Sequence, residues 1–160
     1  QMLADSAMEI NAARLLVLQA ASEIDQGHDA RERISMVKVY AAEPATASPL
    51  AASLTAGQPV RFDGWTASFV DGAGGKSVLP TMWPFLKALS GSIVVSLDDV
   101  SAAMKMVAER AHVIMEGAAG CAVAAALSGR AGSGKIVAVV SGGNIDLPVF
   151  AARVGACQGS

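Results

Sequence analysis

The sequence predicts an α/β domain, a parallel sheet of about three strands with helical crossovers, preceded by an N-terminal helical hairpin. Three observations carry this. From residue 37 on, short apolar runs ("VKVYAA", "SIVVS", "KIVAVV") alternate with longer helical patterns. Strand, helix and strand again, with long connections between the strands, favours parallel pairing. The composition, 52% hydrophobic but only 4% aromatic, calls for an aliphatic, alanine-rich core, and 160 residues are enough to bury one.

The hairpin comes first, over residues 1–36. Leu3, Ala7, Ile10, Val17 and Ile24 recur at steps of three, four or seven, with Asp5, Glu9, Asn11 and Glu23 on other faces. Gly27 ends that pattern and Asp29 can cap a second helix. The α/β domain follows, over 37–150. Residues 37–42 form a strand ended by Pro44, and "SPLAASLTAG" is a helix closed by Gly57. A glycine-rich loop spans 58–80, with Trp65 and Trp83 as candidate packing anchors beside "DGAGG". "TMWPFLKALSG" is a short helix in which Pro84 fits only the first turn.

"SIVVS" is a second strand, its unbroken apolar run suited to a sheet covered on both faces. The helical stretch from Ser96 to Gly129 begins with a capping-box spacing, Ser96 to Asp99, and with first-turn charges Asp98 and Asp99. Gly117 and Gly120 are expected to divide it. Met104, Met106 and Met115 belong to the core, and His112 is placed mid-helix among apolar neighbours. "KIVAVV" is the third expected strand, and "DLPVFAARVGA" a last helix capped by Asp146. The domain is taken to close near residue 150, leaving 151–160 as a tail.

A net charge of -2 gives no electrostatic reason for nucleic acid or an anionic membrane as partner. No stretch has the length of a membrane span, and the expected location is cytoplasmic. Cys121 and Cys157 are too few for a disulfide framework, and Cys121 reads as a small buried residue. Neither His28 nor His112 has a partner at metal or triad spacing.

Two glycine-rich stretches compete for chemistry. "GRAGSGKI" nearly matches a phosphate-binding loop, but Ile136 stands where a hydroxyl is needed, and a helix precedes the stretch where a strand should. It reads as a turn. "SGGNID" has the better placement, directly after an apolar run, because ligands of open parallel sheets bind beyond the carboxyl ends of strands. Gly142 and Gly143 permit close approach or unusual dihedrals. Ser141 and Asn144 bring a hydroxyl and an amide. An ordinary strand-to-helix turn is the competing reading.

Residues 38–147 resemble the C-terminal half of the PLP-dependent threonine/serine dehydratases, the fold type II family that includes serine racemase. The resemblance rests on "VYAAEPATASPLAASLTAG", "FVDGAGGKSVLPTMW", "IVVSLDDVSAAM", "AERAHVIMEGAAGCAVAAALSG" and "VAVVSGGNID", in that order. It implies PLP as cofactor and a small-molecule ligand, with Ser141 hydrogen-bonded to the pyridine nitrogen and Gly142, Gly143 and Asn144 beside it. A neutral hydroxyl there does not force protonation of the ring, which suits β-elimination. Glu116, in "MEGAAG", matches an acidic position near the ring, although Gly117 replaces the more usual proline. Family members often bind a divalent cation near the strand end; Glu43 and the carbonyl of Ala47 match two ligand positions, and Pro49 stands at the third. A solvated strand-end carboxylate is the alternative for Glu43.

The family's Schiff-base lysine and its phosphate-binding glycine loop belong to an upstream half. Lys38, Lys76, Lys87, Lys105 and Lys135 all lie outside that lysine's context. The expectation is therefore a partial dehydratase-like domain without turnover on its own, and no residue here is assigned as catalytic. A structural or orphan protein, or half of an enzyme completed by another chain, are the alternatives. Residues 1–43 resemble a different family, the acyl-CoA dehydrogenases, in their C-terminal helices, through "LADSAMEINAARLLV", "DQG" and "ISMVKVYAAE". The two resemblances together imply a chimera-like chain. That family's catalytic glutamate lies in a segment without counterpart here, and no FAD is expected, since only a helix pair carries the likeness. A homo-oligomer is expected, because half of such a fold leaves apolar faces and sheet edges in need of cover.

Overall fold

Two parallel strands organise the fold, β1 (Tyr40–Pro44) and β2 (Gly91–Val95), in register from Tyr40 opposite Gly91 to Pro44 opposite Val95. The computed structural model describes residues 39–156. The expected hairpin, the acyl-CoA dehydrogenase resemblance apart from residues 39–43, His28, Asp29 and Cys157 therefore lie outside the described residues. Five helices complete the described part: α1 (Pro49–Ala56), α2 (Trp83–Leu86), α3 (Leu97–Ala111), α4 (Gly117–Leu127) and α5 (Leu147–Gly155). Helix α1 packs on both strands, as does α4, and α3 packs on α4 and α5. None of these helices is long and apolar enough to cross a membrane.

Local chemistry explains most boundaries. Pro44 ends β1 as expected. Gly57 caps α1 in the left-handed conformation, φ +70°, where a side chain would be strained. Ser96 caps α3: its Oγ accepts from the Asp99 N–H at 3.0 Å and donates to the Asp99 carboxylate at 2.7 Å. Asp98 and Asp99 occupy the first turn, where the helix dipole favours them. Pro84 sits in the first turn of α2, which is only one turn long. The stretch 58–80 is closed by a bridge between Arg61 and Ser77 and by Trp65, whose Nε1 donates to the Gly74 carbonyl at 2.8 Å. Lys76 lies over the Trp65 ring, 4.1 Å from its centre. Trp83 opens α2, its N–H donating to the Pro80 carbonyl at 3.3 Å.

The core is aliphatic, as the composition demands. Val95, Val100, Met104, Met115 and Cys121 are fully or almost fully buried, and Met106 packs against them. Burial pushes the Cys121 thiol up to about 11; a backbone hydrogen bond opposes the shift and the nearby Glu43 charge adds to it.

Four expectations need correction. The sheet has two strands among the described residues, where about three were expected. Residues 136–140 form no ladder there, and Val137 and Val139 are 50% and 69% exposed. An unbroken apolar run shows that a segment needs cover; it does not supply the neighbouring strand. Second, the helical stretch divides over residues 112–116, starting at His112, with Gly117 opening α4 and Gly120 inside it. His112 takes the left-handed conformation, φ 55°, and its N–H closes the last turn on Ala108. It is an exposed C-cap, outside the apolar surroundings expected for it. Third, Gly120 lies inside α4 because of packing: a Cβ there would meet Val100 Cγ1 at 2.9 Å. Fourth, α5 runs to Gly155, in line with the last helix expected over "DLPVFAARVGA", so the boundary placed near residue 150 falls inside a helix.

Candidate functional site

The site is built where three segments meet: the loop 69–74, the turn 112–116 leading into α4, and the corner 141–146 leading into α5. The turn and the corner are stitched together by the Glu116 N–H, which donates to the Gly142 carbonyl at 3.1 Å. Both glycines of the corner lie close against the turn. A Cβ on Gly142 would lie 2.6 Å from Glu116 Oε1, and one on Gly143 would lie 2.6 Å from the Ile114 carbonyl oxygen. Close approach is thus what these glycines provide.

Loop 69–74 closes the third side. A Cβ on Gly117 would meet Val70 Cγ2 at 2.9 Å and the Phe69 carbonyl at 3.0 Å, and one on Gly72 would meet Ala118 Cβ at 3.1 Å. The glycine that replaces the family's more usual proline therefore lets this loop sit directly on the start of α4. Arg153 of α5 lies over the Phe69 ring at 4.6 Å.

Between the segments is a cavity of about 280 Å³, lined by Phe69, Asp71, Glu116, Asn144, Asp146 and Val149, together with Ile145. The structure brings Glu116, Gly142 and Asn144 together. Ser141 is exposed at the end of the apolar run, next to Gly142. No sequence motif assigns a role to Phe69 or Asp71, and Asp146 is expected as a helix cap. Asp146 occupies the N-cap position of α5 but makes no side-chain cap bond. That idle cap faces the cavity.

The second glycine-rich stretch is a turn. Gly129, Gly132 and Gly134 all have positive φ, with nothing within 4 Å of a would-be Cβ. Arg130 ties it back to β2 by donating to the Val94 carbonyl at 2.7 Å.

The Glu43 position does not fit a hard cation. Its carboxylate is buried and already accepts from the Leu50 N–H at 2.8 Å, the Ala51 N–H at 2.8 Å and the Ser92 hydroxyl at 2.6 Å. Pro49 brings no oxygen side chain, and no group of three or more metal-ligating side chains occurs among the described residues.

The family model for pyridoxal-phosphate dependent enzymes matches residues 24–142. The chain belongs to that family. The likeness to acyl-CoA dehydrogenases expected for residues 1–43 finds no support, and residues 24–43 fall within the PLP-dependent family's span. Among solved structures, the fold is similar to maize serine racemase, with TM-score 0.64 and 30% identity over 75% of this chain and 40% of that one. It is similar to serine racemase from Dictyostelium discoideum, with TM-score 0.60 and 32% identity over 69% of this chain and 36% of that one. It is also similar to threonine deaminase isoform 2 from Solanum lycopersicum, with TM-score 0.66 and 25% identity over 76% and 37%. The chain thus spans well under half the length of these proteins. No curated protein matches it.

Of the residues that the resemblance places around a PLP ring, Glu116 and Asn144 line the cavity, and Ser141, Gly142 and Gly143 lie outside its lining. An exposed hydroxyl at Ser141, an amide at Asn144 and the glycine approach at Gly142 suit a flat ring with a single basic nitrogen. The three carboxylates of the cavity, Asp71, Glu116 and Asp146, do not suit a phosphate.

Proposed function

We propose that this chain forms the ring-nitrogen side of a PLP-dependent site of the dehydratase/racemase type, acting on a small hydroxy-amino acid. The observation that carries the reading is the corner Ser141–Asn144, locked to Glu116 at the edge of a cavity. Bound PLP would supply an electron sink for bond breaking at the amino acid's α-carbon. The residues of this chain would orient it. The Ser141 hydroxyl donates to the ring nitrogen and leaves that nitrogen without a formal charge. Asn144 lines the floor, and Phe69 and Val149 offer apolar walls. The carboxylates of Asp71 and Asp146 favour the ammonium group of an amino acid and keep the phosphate on the outer side.

The lysine and the phosphate loop that this chemistry needs have no matching motif in the sequence. We assign them to a partner segment, in the same polypeptide or another chain. Turnover then belongs to the completed site. We further propose self-association through the exposed Ile136, Val137, Val139 and Val140. Sedimentation at micromolar concentration tests this part: a dimer or larger species supports it, and a monomer refutes it.

A fluorescence titration with PLP tests the site. Wild type is expected to bind about 3–10-fold more tightly than Ser141→Ala, the worth of one hydrogen bond. Equal affinity would refute the assignment of Ser141. No binding by wild type would favour a fold that persists without the function.

A further inference from the structure

We infer that Glu43 has taken over the structural task of a cation at the end of β1, tying the two strands to α1 through its own carboxylate, so that this domain is indifferent to divalent cations. The inference rests on how α1 begins. Its N-cap residue, Ser48, makes no side-chain cap bond, although serine is among the best residues for one. The orphan N–H groups of the first turn are satisfied from elsewhere in the chain. Leu50 N–H donates to Glu43 Oε1 and Ala51 N–H donates to Oε2, each at 2.8 Å. Pro49 at the first helical position has no N–H to satisfy.

The same carboxylate reaches across the sheet. Ser92, on the neighbouring strand β2, donates its hydroxyl to Glu43 Oε2 at 2.6 Å. One buried side chain on β1 therefore joins β1, β2 and α1. Around it, Ala45 N–H donates to the Val95 carbonyl at 2.8 Å and Thr66 N–H donates to the Thr46 carbonyl at 2.9 Å. The strand end is held by hydrogen bonds throughout.

The electrostatics exclude sharing. A helix N-terminus carries partial positive charge, which is why it holds a carboxylate well and a cation badly. A cation placed on Glu43 would face two N–H groups and a hydroxyl proton that already point at the oxygens. It would have to displace them, freeing a helix start inside the protein, in return for one carboxylate and at most the Ala47 carbonyl. Hard cations take about six to eight oxygen ligands, and Pro49 removes a side chain that could have contributed another. The clamp wins.

The test compares the melting temperature of wild type and Glu43→Gln in MgCl₂, CaCl₂ or MnCl₂ against NaCl of equal ionic strength. The inference predicts the same divalent-minus-sodium difference for both proteins. It also predicts that Glu43→Gln melts about 5 °C or more below wild type in every salt, since its amide group points donors at donors. Ser92→Ala should fall by a smaller amount, also in every salt. A saturable rise with any of the three cations that Glu43→Gln abolishes would overturn the inference. Water-proton relaxation of Mn²⁺ in the presence of wild type covers the case in which Glu43→Gln does not fold. Free-ion relaxation up to millimolar protein is expected, and a saturating enhancement would be fatal. None of these readouts depends on PLP, so they stand apart from the proposed activity.

Discussion

The backbone N–H of Glu116 donates to the carbonyl of Gly142 at 3.1 Å, and a Cβ on Gly142 would come within 2.6 Å of Oε1 of that same glutamate. One residue pair thus fixes both the distance between the turn before α4 and the corner before α5 and the place of the carboxylate at the cavity. The neighbouring Gly143 faces backbone instead, the Ile114 carbonyl, which cannot swing away.

The two glycines should therefore respond differently. Gly142→Ala is expected to cost under about 1 kcal/mol, because Glu116 can rotate out, whereas Gly143→Ala should cost about 1–3 kcal/mol through backbone displacement. Urea denaturation measures both. Adding Glu116→Ala should erase the Gly142→Ala cost and leave the Gly143→Ala cost in place. A double-mutant cycle with no coupling between positions 116 and 142 would contradict the contact.

In the core, Gly120→Ala sets helix propensity against packing. Alanine gains about 1 kcal/mol in a helix interior. The new methyl would meet Val100 Cγ1 at 2.9 Å and Met104 Cγ at 3.1 Å. Overpacking costs about 1–3 kcal/mol, so a net loss of stability is expected. Gly155→Ala, at the end of α5 with open space around it, should be neutral or gain a few tenths. The order of the two melting temperatures decides the matter.

Cys121 sets a pH limit at the alkaline end. Its thiol is raised from 9.0 to about 11 in the folded chain, first by burial. The unfolded state therefore loses its proton first, and the contribution to stability, present below pH 9, disappears as pH rises from 9 to 11. The loss is on the order of 2–3 kcal/mol. In a Cys157→Ser background, native protein at pH 8 should react with a thiol reagent only at its unfolding rate. Fast labelling would place the thiol at the surface.

How much of this was legible beforehand follows the range of the forces. Gly57, Pro44 and the Ser96–Asp99 cap act over a few residues, and the sequence sufficed for them. His112 was missed because a non-glycine residue rarely adopts positive φ, so the glycines at 117 and 120 drew the helix break instead. Their real task is close packing, which only the opposing Val70, Val100 and Met104 reveal. Residues 136–140 carry the signature of a covered strand, but a run of apolar side chains says nothing about who pairs with it. Of the candidate site, Ser141–Asn144 and Glu116 are named through family resemblance. Asp71, Asp146 and Phe69 reach the cavity only through tertiary folding, and no local pattern marks them. Glu43 was visible as a candidate ligand, but its capping of α1 acts on the N–H groups of Leu50 and Ala51, seven and eight residues on, and its bond to Ser92 spans nearly fifty residues, so no local pattern shows either.

The most direct measurement is an amide chemical-shift map of the chain titrated with 4′-deoxypyridoxine 5′-phosphate, which keeps the ring and phosphate of PLP but cannot form an imine. The account predicts that shifts concentrate at Ser141–Asn144, Glu116 and Phe69, and that Ser141→Ala weakens them. Shifts confined to the turn around Gly129–Gly134, or none at millimolar ligand, would contradict it.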